Sequence, residues 1–191
     1  CDAAVEFAKM VRELDSVEPE EAREGIPENF VDRCLQTCLV QSLNAVFCAY
    51  CDHEYFLDRR PDIDAIRPRV LPIMEELRKN LDNETWYLGE KDGLITRMLL
   101  YIADFHLGKL SVDELFSALD LLRDQASSLD PTNKLFLFKE IDNIYLQYLY
   151  MYSALPAEKI AGLSSECLDK ALPRVLNFTR RVNDVAFNDI P

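Results

Sequence analysis

Five of the side chains best suited to metal or redox chemistry crowd into one short stretch: Cys34, Cys38, Cys48, Cys51 and His53. Thiolates and imidazole at close spacing bind zinc when the chain folds them round one ion, with each sulfur about 2.3 Å from the metal. No glycine or proline lies between Phe30 and Leu57, so these residues are expected to share one helix. Cys34 and Cys48 then stand roughly 21 Å apart along its axis, at about 1.5 Å per residue. One straight helix cannot close that gap. Cys34 and Cys38, at i and i+4, offer half a site that another element would have to complete. Small buried thiols on an apolar stripe are the expectation, with no metal and no local disulfide, which points to a reducing, cytoplasmic setting. Cys48-Ala49-Tyr50-Cys51 has the C-x-x-C redox spacing, but that chemistry needs a thiolate at a helix N-terminus. Here the pair falls late in a helix, where the dipole opposes negative charge.

The chain has two histidines, His53 and His106. A di-iron bundle places Glu three residues before each His, and those positions hold Tyr50 and Ala103. His106 is read as a packing residue or a positive charge near a helix C-terminus. Gly108 to Leu115 resembles the second half of a calcium loop, yet the first, third and fifth ligand positions would be Ala103, Phe105 and Leu107, which supply no side-chain oxygen. The fragment Glu90 to Ile95 fails likewise, with Leu88 and Leu99 at its first and twelfth loop positions. Glu20-Glu21 and Glu75-Glu76 are adjacent, so on a helix their carboxylates diverge by about 100° and read as solvated surface. Neither G-x-S-x-G, nor a phosphate-binding loop, nor G-x-G-x-x-G occurs, which leaves hydrolase, nucleotide-triphosphatase and dinucleotide chemistry without their usual residues. No cofactor is expected.

What remains is aromatic. In Leu135 to Tyr152, 13 of 18 residues are apolar or aromatic. Glu140, Asn143 and Gln147 at i, i+3 and i+7 leave one narrow wet stripe, so the helix is expected to be covered on nearly every other side. Lys139-Glu140 and Asp142-Asn143 make it too polar for a membrane span. Tyr145, Tyr148 and Tyr152 share a face, and tyrosine suits places where an apolar body meets a polar tip. With Trp86, Tyr101 and Phe105 they are the candidate interface or ligand residues, against the plainer account that they pack a core.

These positions must be held by helices, because helical periodicity runs almost end to end. Ala4, Phe7, Ala8, Val11 and Leu14 face one way on a first helix. An acidic connector follows over 15–27, then a long helix from about Glu28 to Leu57. Three prolines over 58–72 predict a break with at most a short helical turn. A third helix runs to about Leu81, a fourth from Gly93 to Leu107, and a fifth to about Ala126 from a capping box at Ser111 and Glu114. Asp130-Pro131 launches the aromatic helix, about 131–153. Ser164 or Ser165 caps a last helix through Val185, with Pro173 as a kink. Five glycines in 191 residues are few for a β-rich chain, and no repeat recurs at a constant period.

The fold class is therefore all-α: a single domain over 1–191, a bundle of six or seven main helices around a central aromatic helix, reading as a piece of a longer chain. Cys1 would also open a mature bacterial lipoprotein, but an amphipathic helix begins almost at once. Asn83-Glu84-Thr85 and Asn177-Phe178-Thr179 are glycosylation sequons by pattern alone. A net charge of −13 repels phosphate backbones and anionic lipid, so neither nucleic acid nor membrane is expected as partner. The functional expectation is a non-enzymatic regulatory or protein-interaction domain, with a protein partner or homo-oligomer. The alternatives are a small-molecule sensor with an aromatic-lined pocket between the fourth and sixth helices, or an enzyme lacking familiar motifs.

Overall fold

The computed structural model of the 191-residue chain describes Glu6, Met10, Glu13, residues 30–51, 61–82 and 89–153, Asp169 and Leu176. Among these residues every regular element is helical and there is no strand. Five α-helices appear: α1 (Phe30–Asn44), α2 (Ile63–Asp82), α3 (Glu90–His106), α4 (Val112–Gln125) and α5 (Pro131–Ser153). A π-helical segment, Ala45–Cys51, continues α1, and a 3-10 turn, Ala126–Ser128, follows α4. At Glu6, Met10 and Glu13, and again at Asp169 and Leu176, the backbone is helical. The remainder of the expected first and last helices, the 15–27 connector and His53 lie outside the described residues. The chain divides into two compact units, Cys1–Leu107 and Gly108–Pro191.

In the first unit, α1, α2 and α3 pack against one another, and the π segment packs on α3. Leu35, Leu39, Leu43, Phe47 and Cys51 are all buried at steps of four. In an α-helix four residues turn about 400°, so a stripe with that step walks round the helix. A π turn closes i to i+5 bonds and takes more residues per turn. There the same step falls short of a full turn, which brings Phe47 and Cys51 back towards the face of Leu35. The uniform helix expected from Glu28 to Leu57 is thus two windings in series.

The expected break over 58–72 is a helix from Ile63 onward, with Pro68 and Pro72 inside it. Asp62 caps its start, Oδ1 accepting from the Ala65 N–H at 3.0 Å. Each proline removes one N–H from the ladder. Because the two are four residues apart they share one face, and both are exposed, so carbonyls they leave without a partner can turn to water. The opposite stripe, Val70, Ile73, Met74 and Leu77, is buried at i, i+3, i+4 and i+7 and holds the helix down. Packing overrides the local breaker.

Helix α3 opens after Gly89 at φ 92° and closes before Gly108 at φ 73°, backbone angles that favour glycine. Its start lies three residues ahead of the expected Gly93. Met98, Leu99 and Leu100 are buried in succession, and Thr96 is buried with its hydroxyl donating to the Asp92 carbonyl at 2.8 Å. This helix is covered on most sides.

In the second unit, α4 and α5 form an antiparallel hairpin across the 3-10 turn. The Ser111 capping box is complete. Its hydroxyl accepts from the Glu114 N–H at 3.3 Å, while the Glu114 carboxylate accepts from the Ser111 N–H at 2.7 Å. Asp130 caps α5, with Oδ1 accepting from the N–H groups of Thr132 at 3.1 Å and Asn133 at 3.2 Å. Leu115, Leu119 and Leu122 from α4 and Leu137, Ile141, Tyr145 and Tyr148 from α5 are core residues.

Among the described residues, two large apolar side chains in the N-terminal half of α5 lie outside the coat expected around this helix. Leu135 is 61% exposed and Phe136 45% exposed, whereas Asp142, assigned to the polar remainder, is buried. Asp142 escapes the cost of burial by pairing with Arg123 of α4. Leu135 and Phe136 stand about 200° and 100° round the helix from Leu137, so the α4 contact cannot reach them.

Candidate interaction surfaces

The aromatic candidates divide by position. Tyr145 and Tyr148 face inward and are almost wholly buried. The Tyr145 ring lies 4.4 Å from that of Phe116, and its hydroxyl donates to the Phe116 carbonyl at 2.8 Å and bonds the Asp120 carboxylate. An apolar ring with a satisfied polar tip is what a buried tyrosine requires. Neither ring is open to a ligand or partner. Tyr152 belongs to α5, but its side chain lies outside the described residues, as does Trp86 entirely. Phe105 is half-buried, edge-on to His106 at 5.6 Å.

Tyr101 is half-buried and lines a crevice of about 180 Å³ between α2 and α3. Leu81 and Leu100 make its apolar part, and Arg78 and Asp104 bridge the two helices at its edge. Arg97 and Asp82 stand exposed at the same crevice. Its volume is below the roughly 300 Å³ at which small-molecule pockets usually begin.

His106 is buried and stacks on Phe47 of the π segment, with centroids 5.6 Å apart and planes inclined by 18°. That geometry suits a packing role. Cys34, Cys38 and Cys48 are half-buried and Cys51 is buried, none of them in a disulfide. Among the described residues no three His, Cys, Asp or Glu side chains come together as metal ligands, and no helix is long and apolar enough to cross a membrane.

Among the described residues two carboxyl groups have shifted acidity, both at helix starts. Glu114 is held below the usual carboxylate range by the Ser111 backbone N–H first and its hydroxyl second. Asp130 is lowered chiefly by the Asn133 backbone N–H and then by its side-chain amide. Hydrogen bonds to the charged form stabilise it. These are caps, and they fix where α4 and α5 begin.

The surface that sequence reasoning missed lies on the outer face of α5. From Pro131 to Asn143 the exposed side chains are Pro131, Thr132, Leu135, Phe136, Lys139 and Asn143. Leu135 and Phe136 stand at i−4 and i−3 to Lys139, so the three are neighbours on one ridge. Among the described residues Lys139 has no ion-pair partner. Leu121 on α4 is exposed as well. The spacing from Leu137 held the signal: once Leu137, Ile141, Tyr145 and Tyr148 are set inward, Leu135 and Phe136 must point away. No known protein-family model, curated protein or solved structure matches the chain.

Proposed function

We propose that this chain is a non-enzymatic protein-interaction domain, with the outer face of α5 as its contact surface. The observation that carries the reading is the pair Leu135 and Phe136, large apolar side chains exposed side by side on a helix whose other face is core. Clustered exposed apolar groups mark contact sites more often than isolated ones do, and an aromatic anchor such as Phe136 is a common source of binding energy.

Lysine cross-linking with site-resolved mass spectrometry tests this, because Lys134 and Lys139 flank the apolar pair. In an extract of the source cells, cross-links from Lys134 and Lys139 should join one protein species or a second copy of the chain. They should disappear in the Leu135→Ser/Phe136→Ser variant, with helical content by circular dichroism unchanged. Equal cross-linking by both proteins overturns the reading.

A further inference from the structure

We infer that the α5 surface takes an acidic amphipathic helix from a different protein, an inference that rests on the interaction reading and names the partner's chemistry. The starting point is charge. The chain carries 34 acidic residues against 21 basic ones, yet from Pro131 to Asn143 the one fully exposed charged side chain of α5 is the cation Lys139, while Glu140, one turn beyond Phe136, is half-buried. Any partner that covers Leu135 and Phe136 also takes water from the neighbouring ammonium, one turn away. Removing that hydration costs free energy unless a carboxylate replaces it. An apolar partner without acid groups would therefore lose at Lys139 part of what it gains at Phe136.

A second copy meeting this face with its own would set one Lys139 near the other. Like charges brought together at a contact select against that pairing. The shape of the surface is that of a ridge, with Thr132, Leu135, Phe136, Lys139 and Asn143 following helical spacing. A partner helix seats such a ridge between its own rows of side chains. The complementary helix has apolar residues one turn apart to meet Leu135 and Phe136 and a Glu or Asp one turn further on. Such partners are read by their anchor spacing.

The test uses the full chain and two labelled helical peptides that share the same leucine positions, one flanked by glutamates and one by lysines, read by fluorescence anisotropy. The glutamate peptide should bind at least about tenfold more tightly than the lysine peptide, a difference that shrinks as salt rises. Lys139→Glu should reverse the preference, and Leu135→Ser/Phe136→Ser should abolish binding of both. Equal binding of the two peptides, or a preference untouched by Lys139→Glu, overturns the acidic partner and leaves the interaction reading standing. Failure of both peptides to bind overturns the inference. Binding that survives Leu135→Ser/Phe136→Ser removes the α5 surface, and with it both readings.

Discussion

Each unit of this protein joins two helices with an arginine–aspartate bridge, and the two bridges live in different surroundings. Arg78 and Asp104 link α2 to α3 at the rim of the crevice, with side chains 36% and 16% exposed. Arg123 and Asp142 link α4 to α5 with side chains 20% and 5% exposed, and the Phe138 ring lies under the guanidinium at 4.2 Å. The chemistry is the same; access to water is not. Where water can replace a lost partner, an ion pair contributes little. Where it cannot, removing one member strands a charge in a poorly hydrated place. The second unit also commits the neighbouring Tyr145 hydroxyl to Asp120 and to the Phe116 backbone, so the α4–α5 hairpin is tied by polar bonds at more than one level.

The contrast can be broken most directly at Asp142. Asp142→Ala should destabilise the second unit by about 3 kcal/mol, the lower end for a broken buried pair because Arg123 keeps some hydration and its ring contact. Urea unfolding followed by amide exchange across residues 112–148 reads this, and a loss indistinguishable from zero would erase the distinction between the bridges. Asp104→Ala is the matched change in the first unit. It should cost no more than about 1 kcal/mol by urea unfolding, since the arginine it leaves, Arg78, is 36% exposed and stays in reach of water. A loss as large as that at Asp142 would show that exposure does not set the value of these pairs.

The smallest expected effect is acid loosening of the two capped helix starts in the second unit. Glu114 and Asp130 are more acidic folded than unfolded, so their contribution is present above the ordinary carboxyl range and is lost as pH falls through the folded values. The window lies below about pH 4. Protection of the Ser111, Thr132 and Asn133 amides, relative to unfolded-chain exchange at the same pH, should fall there, and Glu114→Gln should remove the pH dependence at Ser111 alone. Protection that stays constant on acidification would show that the caps do not hold these ends.

Helix ends were the most legible part of the sequence where side chain and backbone meet within a few residues. The Ser111 and Glu114 box needs no knowledge of the rest of the fold, and Asp130-Pro131 is equally local. The two prolines of α2 were misread for the opposite reason. Their cost depends on whether the freed carbonyls face water, and that depends on where Val70, Ile73, Met74 and Leu77 are buried. Asp142 stood only among the polar residues of the segment, outside the stripe of Glu140, Asn143 and Gln147, and its burial depends on Arg123, 19 positions away on another helix. Tyr145 was a candidate interface or ligand residue, with core packing as the plainer account, and spacing alone could not say that Asp120 and Phe116 would satisfy its hydroxyl. The exposed pair on α5 escaped notice because apolar content was counted along the segment instead of round it.

The wider winding at Ala45–Cys51 leaves this stretch of backbone with a residue to spare. In ordinary α-helix, deleting one residue swings everything downstream by about 100°, so a loss at Thr37 would turn Leu39, Leu43 and the positions beyond them out of register with Leu35. Within the π turn the same deletion tightens the coil back to α spacing and leaves the downstream phase almost where it was. Ala45 is exposed there, and a chain shortened by one residue at that point is expected to keep Cys51 in the interior.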